Sequence, residues 1–298
     1  MGMSKRTWVT VAMGVALIGP AQAQRSSSYE VVDESTVTRT LVFAAGGGRT
    51  LDVRNINGFI RVEGTTDSTV QMSIRKMIRA ETRDDLAAAQ QEVRLDFTDN
   101  APRVGATVIE LNRHVCGERW NDGDREWRRP RYHVRFDFTI RVPRDAALRL
   151  CTINGGDLIV NGTRGDFDVT NVNGLIEMRE VAGSGRAHTV NGPVTVTFTA
   201  NPKQPSSFKT VNGNVDVSFP QGLAADFAMK TFNGGLFTDF DAQPLANPVA
   251  AAAERRNGRF VYRANEFTRV RVGNGGPEIA FETLNGNVRA RRAGGTVR

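Results

Sequence analysis

HTVNGPVTVTF, His188–Phe198, is followed by KTVNGNVDVSF, Lys209–Phe219, and then by KTFNGGLFTDF, Lys230–Phe240. The shared element is an Asn-Gly pair, here Asn191-Gly192, Asn212-Gly213 and Asn233-Gly234. The same phrase recurs at Asn57-Gly58, Asn154-Gly155, Asn173-Gly174 and Asn285-Gly286. Between Asn154 and Asn233 the intervals are 19, 18, 21 and 21 residues. A period near twenty belongs to a chain that stacks similar small units on one another.

The residues around the pair set the geometry. With Asn at position zero, the unit at Asn173 has Phe167, Val169, Val172, Ile176 and Met178 at −6, −4, −1, +3 and +5. Leu51, Val53, Ile56, Ile60 and Val62 repeat this around Asn57, and Ile279, Phe281, Leu284, Val288 and Ala290 around Asn285. Apolar pairs two residues apart are strands with one buried face. Asn-Gly commonly closes a two-residue hairpin. Here the phase is wrong, because an apolar −1 would require an apolar +2, where Asn214, Asn287 and Pro193 stand. A wider bend is expected instead, with Val172 and Val211 at −1 filling its interior. A longer hairpin loop with a bulge is the other geometry open to this pattern. Stacked bends would place Gly over Gly, where positive φ is cheap, and Asn over Asn in an amide ladder. The fold class expected is all-β: a β-solenoid-like stack of Asn-Gly repeats, with one short helix in the N-terminal part.

The remainder reads as a cap. Val70, Met72 and Ile74 alternate as a strand; Thr82 and Asp85 form a capping box for a helix through Ala87 to Glu92. Val93, Leu95 and Phe97 resume alternation, and Val134 to Val142 is the longest clean strand, ended by Pro143. Asp241–Arg256, rich in Ala and Pro, reads as an insertion loop, and Asn257-Gly258 opens a half-copy with Phe260 and Tyr262. The domain division is therefore residues 1–23 as signal peptide, 24–143 as the cap with the first unit, and 144–298 as the repeat stack with its 241–256 insertion.

The signal assignment rests on Lys5 and Arg6 before an apolar run from Trp8 to Ile18, with Ala21 and Ala23 where a signal peptidase cuts. No later run is long and apolar enough to span a bilayer as a helix. The expected location is exported, periplasmic or extracellular. Removing residues 1–23 leaves 37 basic and 32 acidic side chains, since Lys5 and Arg6 are the only charges lost. That excess favours anionic partners, and export argues against nucleic acid. Two cysteines in an exported chain, Cys116 and Cys151, suggest one disulfide.

The order of export signal, first unit VRNINGFIRVEG, charged strand, short helix and serial TVNGxVxV units resembles a group of bacterial envelope proteins. These are the toastrack-like proteins classed as a putative-adhesin domain of unknown function. The resemblance runs from about Val37 to Arg292 and implies an all-β repeat fold and an envelope location. It brings no catalytic residues with it.

Chemistry is sparse. His114, His133 and His188 lack metal-ligand or nucleophile spacing, and neither Gly155-Gly156-Asp157 nor Asn121, Asp122, Asp124 and Glu126 follows a calcium-loop pattern. No cofactor, metal or catalytic set is expected. The segment that departs from the unit pattern is Arg113–Arg135, with seven Arg against four acids and three aromatic residues. Trp120, Trp127, Arg128, Arg129, Arg131 and Tyr132 are its candidate ligand-binding residues, since guanidinium forks suit anions and flat rings suit sugars. A loop folded back on the stack, with its rings as a plug, is the competing role. The function expected is a non-enzymatic envelope protein, an adhesin or binding scaffold for anionic glycan, lipid or protein. A polysaccharide-processing β-helix enzyme and an envelope-stress sensor are the alternatives.

Overall fold

The computed structural model describes residues 29–110, 116, 130–246, 254–256, 259–261 and 267–293. It is all-β apart from one helix, Arg83–Glu92, and is built on two large, mostly parallel sheets. Neither sheet closes on itself among the described residues.

Each Asn-Gly corner joins a strand of one sheet to a strand of the other. Thr50–Arg54, Ala147–Cys151, Phe167–Thr170, Gly185–His188, Ser206–Lys209, Ala225–Asn233 and Glu278–Asn285 enter the corners from the eleven-stranded sheet. Ile60–Thr65, Leu158–Asn161, Ile176–Val181, Val194–Phe198, Val215–Phe219, Leu236–Thr238 and Val288–Arg292 leave them in the ten-stranded sheet. The register is parallel and in phase, so Phe167 lies beside Leu148 and Gly185, and Ile176 beside Leu158 and Val194. The apolar positions at −6, −4, +3 and +5 fill the space between the sheets; Leu51, Val53, Val169, Ile176, Met178, Ile279 and Val288 are wholly buried. Towards the C-terminal end the filling becomes aromatic. Phe198 stacks on Phe219 with ring centres 5.2 Å apart, and Phe227 meets Phe281 edge-on at the same distance.

Spatial order departs from chain order at one place. The corners stack as Asn57, Asn154, Asn173, Asn191, Asn212, Asn285 and Asn233. The unit built from Glu278–Asn285 and Val288–Arg292 is thus inserted between Ser206–Phe219 and Ala225–Thr238. Beyond it, Thr268–Val272 turns antiparallel against Ala225–Asn233, and Ala242–Pro244 pairs with Thr268–Val272 at the edge. Part of the expected 241–256 loop is therefore strand. Arg259–Val261 pairs with Glu254–Arg256 in a separate two-stranded sheet, so the expected half-copy does not join the two large sheets; Asn257, Gly258 and Tyr262 lie outside the described residues.

At the other end the chain switches to antiparallel pairing. Val31–Leu41, Val70–Ala80 and Tyr132–Pro143 extend the ten-stranded sheet, and Val93–Thr98 with Arg103–Glu110 extends the other. The Thr82 hydroxyl accepts the Asp85 N–H at 3.1 Å, which starts the helix where the sequence places it. Ala89 seats the helix on the core.

The corner itself corrects the expected geometry. Ile56 is buried, but Val172 and Val211 are half-exposed, and Val190, Leu284 and Phe232 are exposed. The position that turns inward is −2. Thr152, Thr189, Thr210 and Thr283 are buried there, with Asn55 and Asn171 in the equivalent places. The reason is an unpaired carbonyl. The Thr152 hydroxyl donates to Gly58 O at 2.9 Å, Thr189 to Gly174 O at 2.9 Å, Thr210 to Gly192 O at 2.7 Å and Thr283 to Gly213 O at 2.8 Å. A buried carbonyl without a partner is costly, so the corner spends its inward position on a donor and sends its apolar neighbour outward.

Stacking also explains the glycines, for a different reason than expected. Positive φ occurs at Gly58, Gly155, Gly192 and Gly286 but is not shared by all seven. Close approach is what recurs: a methyl on Gly213 would lie 2.3 Å from Gly192 O, and one on Gly286 would lie 2.0 Å from Gly213 O.

Candidate binding surface

Of the six residues expected to bind ligand, Trp120, Trp127, Arg128 and Arg129 lie outside the described residues. So do His114 and the acidic group Asn121, Asp122, Asp124 and Glu126. Arg131 is exposed, and its carbonyl accepts the Glu81 N–H at 3.0 Å. Tyr132 is half-buried against the core and donates its hydroxyl to Glu92 at the helix end, which is a structural use. Cys116 and Cys151 form the expected disulfide, with Cα atoms 5.7 Å apart. Cys151 lies at −3 in the Asn154 unit, so this bridge ties the Arg- and Trp-rich segment to the edge that carries the corners.

The two described histidines, His133 and His188, lie on strands of different sheets. His188 sits half-buried on the eleven-stranded sheet, its Nε2 3.0 Å from the Ser207 hydroxyl. Burial holds its pKa below the ordinary value, and the neighbouring Arg186 and Lys209 charges add to this. Asp157 receives the Leu175 N–H at 3.2 Å and so serves the corner, not a cation. Among the described residues no group of three or more His, Cys, Asp or Glu side chains could hold a metal.

Several charged side chains on the outer faces pair with each other, within one strand or across adjacent strands. Arg186 meets Asp168 at 2.6 Å, Arg179 meets Glu177 at 2.6 Å, and Arg271 grips Asp226 through two contacts of 2.9 Å.

The corner edge differs. One line along it is an amide ladder: Asn173 donates to Asn154, Asn191 to Asn173, Asn212 to Asn191, Asn285 to Asn212 and Asn233 to Asn285, all at 2.7–2.8 Å. Beside it runs the outward −1 row of Ile153, Val172, Val190, Val211, Leu284 and Phe232. Its most exposed members are Val190 at 38%, Leu284 at 45% and Phe232 at 67%. At this end Lys209, Val211, Lys230, Phe232, Glu282 and Leu284 line a shallow groove of about 170 Å³. Lys209 and Lys230 share the carboxylate of Glu282, at 3.0 and 3.9 Å. A second hollow of about 370 Å³, with the hydroxyls of Thr38, Thr40, Ser73 and Thr139 and the side chains of Gln71 and Arg141, opens on the antiparallel cap. The row escaped sequence reasoning because apolar side chains were assigned inward; the recurrent Thr or Asn at −2 was the signal that the inward place was taken.

No protein-family model and no curated protein matches the chain. Among solved structures, a putative cell adhesion protein from Clostridium sporogenes aligns over 87% of this chain and 100% of its own, with TM-score 0.42 and 10% identity. A putative adhesin from Bacteroides fragilis aligns over 87% and 97%, with TM-score 0.35 and 12% identity. A putative lipid binding protein from Parabacteroides distasonis covers 87% and 96%, with TM-score 0.31 and 6% identity.

Proposed function

We propose that this chain is an exported, non-enzymatic envelope protein, a rigid solenoid-like stack of units of roughly twenty residues that works as a binding scaffold. Its partners are taken to be anionic envelope glycan or lipid, or an envelope protein. Residues 1–23 are the export signal, 24–143 the cap and 144–298 the stack, outside the cytoplasm, where the disulfide is at home. The observation that carries the reading is the corner edge: two hydrogen-bond ladders hold a row of apolar side chains in solvent, where the core has no use for them. Trp120, Trp127, Arg128, Arg129 and Arg131 belong to the same proposal, as an anion- and sugar-binding segment anchored beside that edge by Cys116.

The test is retention of the purified mature protein on immobilised envelope glycan, lipid and protein fractions, with polysaccharide cleavage followed in parallel. Saturable retention on at least one fraction, without cleavage, is expected. Retention on none, or release of sugar fragments, would refute the reading.

A further inference from the structure

Resting on that binding reading, we infer that the −1 row is a membrane-contact edge, which lays Val190, Val211, Leu284 and Phe232 onto an anionic lipid surface. The first argument is repetition against need. All seven corners place an apolar residue at −1, yet only Ile56 is buried; the other six point outward. A solvated corner position has no packing reason to be Leu or Phe.

The second argument is shape. Parallel strands about 4.8 Å apart make the six residues a straight line about 24 Å long. Its amide neighbours bond to one another at 2.7–2.8 Å, so the line is stiff. The exposed apolar area is on the order of 400 Å², the size at which such patches mark contact sites. It is about half of what each partner in a stable protein complex contributes. The six side chains of the row themselves include none of the Trp, Tyr and Arg anchors on which protein interfaces depend. A narrow aliphatic ridge instead fits the boundary between lipid head groups and acyl chains, where shallow insertion needs no matching pocket.

The third argument is charge. Lys209 and Lys230 flank the most exposed part of the row and share one carboxylate, Glu282, leaving a positive excess beside the ridge. At the far end Arg135 is already paired with Asp137 at 2.8 Å, so the positive excess lies at the Lys209–Lys230 end. Cations bordering an apolar ridge are placed to meet lipid phosphates once the ridge is seated.

Flotation of the mature protein with vesicles of phosphatidylcholine, alone or mixed with phosphatidylglycerol, tests this. The parent should float with mixed vesicles and weakly or not at all with phosphatidylcholine. The combined variant Val190→Thr, Leu284→Asn, Phe232→Ser should lose about tenfold or more in vesicle affinity at every salt concentration. Lys209→Gln with Lys230→Gln should weaken binding to mixed vesicles, chiefly at low salt. In Phe232→Trp, the added emission should shift to shorter wavelength on mixed vesicles; this arm decides alone if the combined variant does not fold. A parent that never floats, a folded combined variant that floats as the parent does, or an unshifted Phe232→Trp spectrum each overturns the inference. A parent held by envelope glycan or protein but not by vesicles overturns the lipid edge and leaves the binding scaffold standing.

Discussion

Thr210→Val isolates the bond that turns the corner inward. Thr210 is 1% exposed, and its hydroxyl donates to Gly192 O at 2.7 Å. Valine has nearly the same shape, so the substitution leaves no cavity and removes one donor. The Gly192 carbonyl, part-buried beside the Gly213 backbone, then loses this partner. Losing a neutral hydrogen bond costs about 1 kcal/mol, and an orphaned buried acceptor raises this towards 1–3 kcal/mol. The added methyl in the core offsets part, so a loss of about 1–2 kcal/mol is expected. The adjacent change Val211→Thr, at a half-exposed outward position, should stay within about 0.5 kcal/mol. Urea unfolding of both variants, compared by midpoint at a common slope, measures the pair. If Thr210→Val is neutral while Val211→Thr costs more than about 1 kcal/mol, the corner faces the other way and the outward row does not exist.

Gly213→Ala should be among the most damaging single changes, at about 3 kcal/mol or more, because its methyl would meet Gly192 O at 2.3 Å and force two strands apart; calorimetric melting checks it, and a shift under two degrees would contradict the stacking. Replacing Cys116 and Cys151 together with Ser should cost about 3–4 kcal/mol, from releasing a loop closed across 35 residues. An unchanged urea midpoint would show that the bridge constrains little. His188 resists protonation when folded, first because it is buried and then because Arg186 and Lys209 repel the added charge. The unfolded chain, with its imidazole near the ordinary value of 6.5, binds that proton more readily, so stability should fall as pH drops from neutral through this value. His188→Gln should flatten that part of the stability–pH curve, and an identical slope would assign the dependence elsewhere.

The strands were legible in the sequence because period-two alternation survives in most units, though Gly185 and Ser206 interrupt it: Phe167 and Val169, Ile176 and Met178 are buried where their spacing puts them. The amide ladder was legible too, since one polar residue at a fixed period can only stack on itself. The corner was misread because hydropathy has no term for an unpaired carbonyl. Thr210 outranks Val211 for the inward place through a bond to Gly192 that only the neighbouring unit supplies. The order of the units was also hidden, as nothing local in TLNGNV distinguishes a terminal rung from an inner one. Of the candidate ligand residues, Tyr132 proves to serve the helix end through Glu92.

The insertion of the Asn285 unit between the Asn212 and Asn233 units reverses the usual meaning of a C-terminal truncation. In a stack assembled in chain order, loss of the last residues trims an end. Here, stopping before Glu278 would remove an inner rung and unpair both Ser206–Lys209 and Val215–Phe219 on one side and Ala225–Asn233 and Leu236–Thr238 on the other. A chain made only as far as Val272 is in that condition, with two facing strand edges and the rings of Phe208 and Phe227 without their Phe281 contact until it arrives between them. The strands Glu278–Asn285 and Val288–Arg292 therefore act as a bolt: the stack is locked only once they are in place, and before then its open slot is the place where a foreign strand, or the same bolt from another copy, would fit.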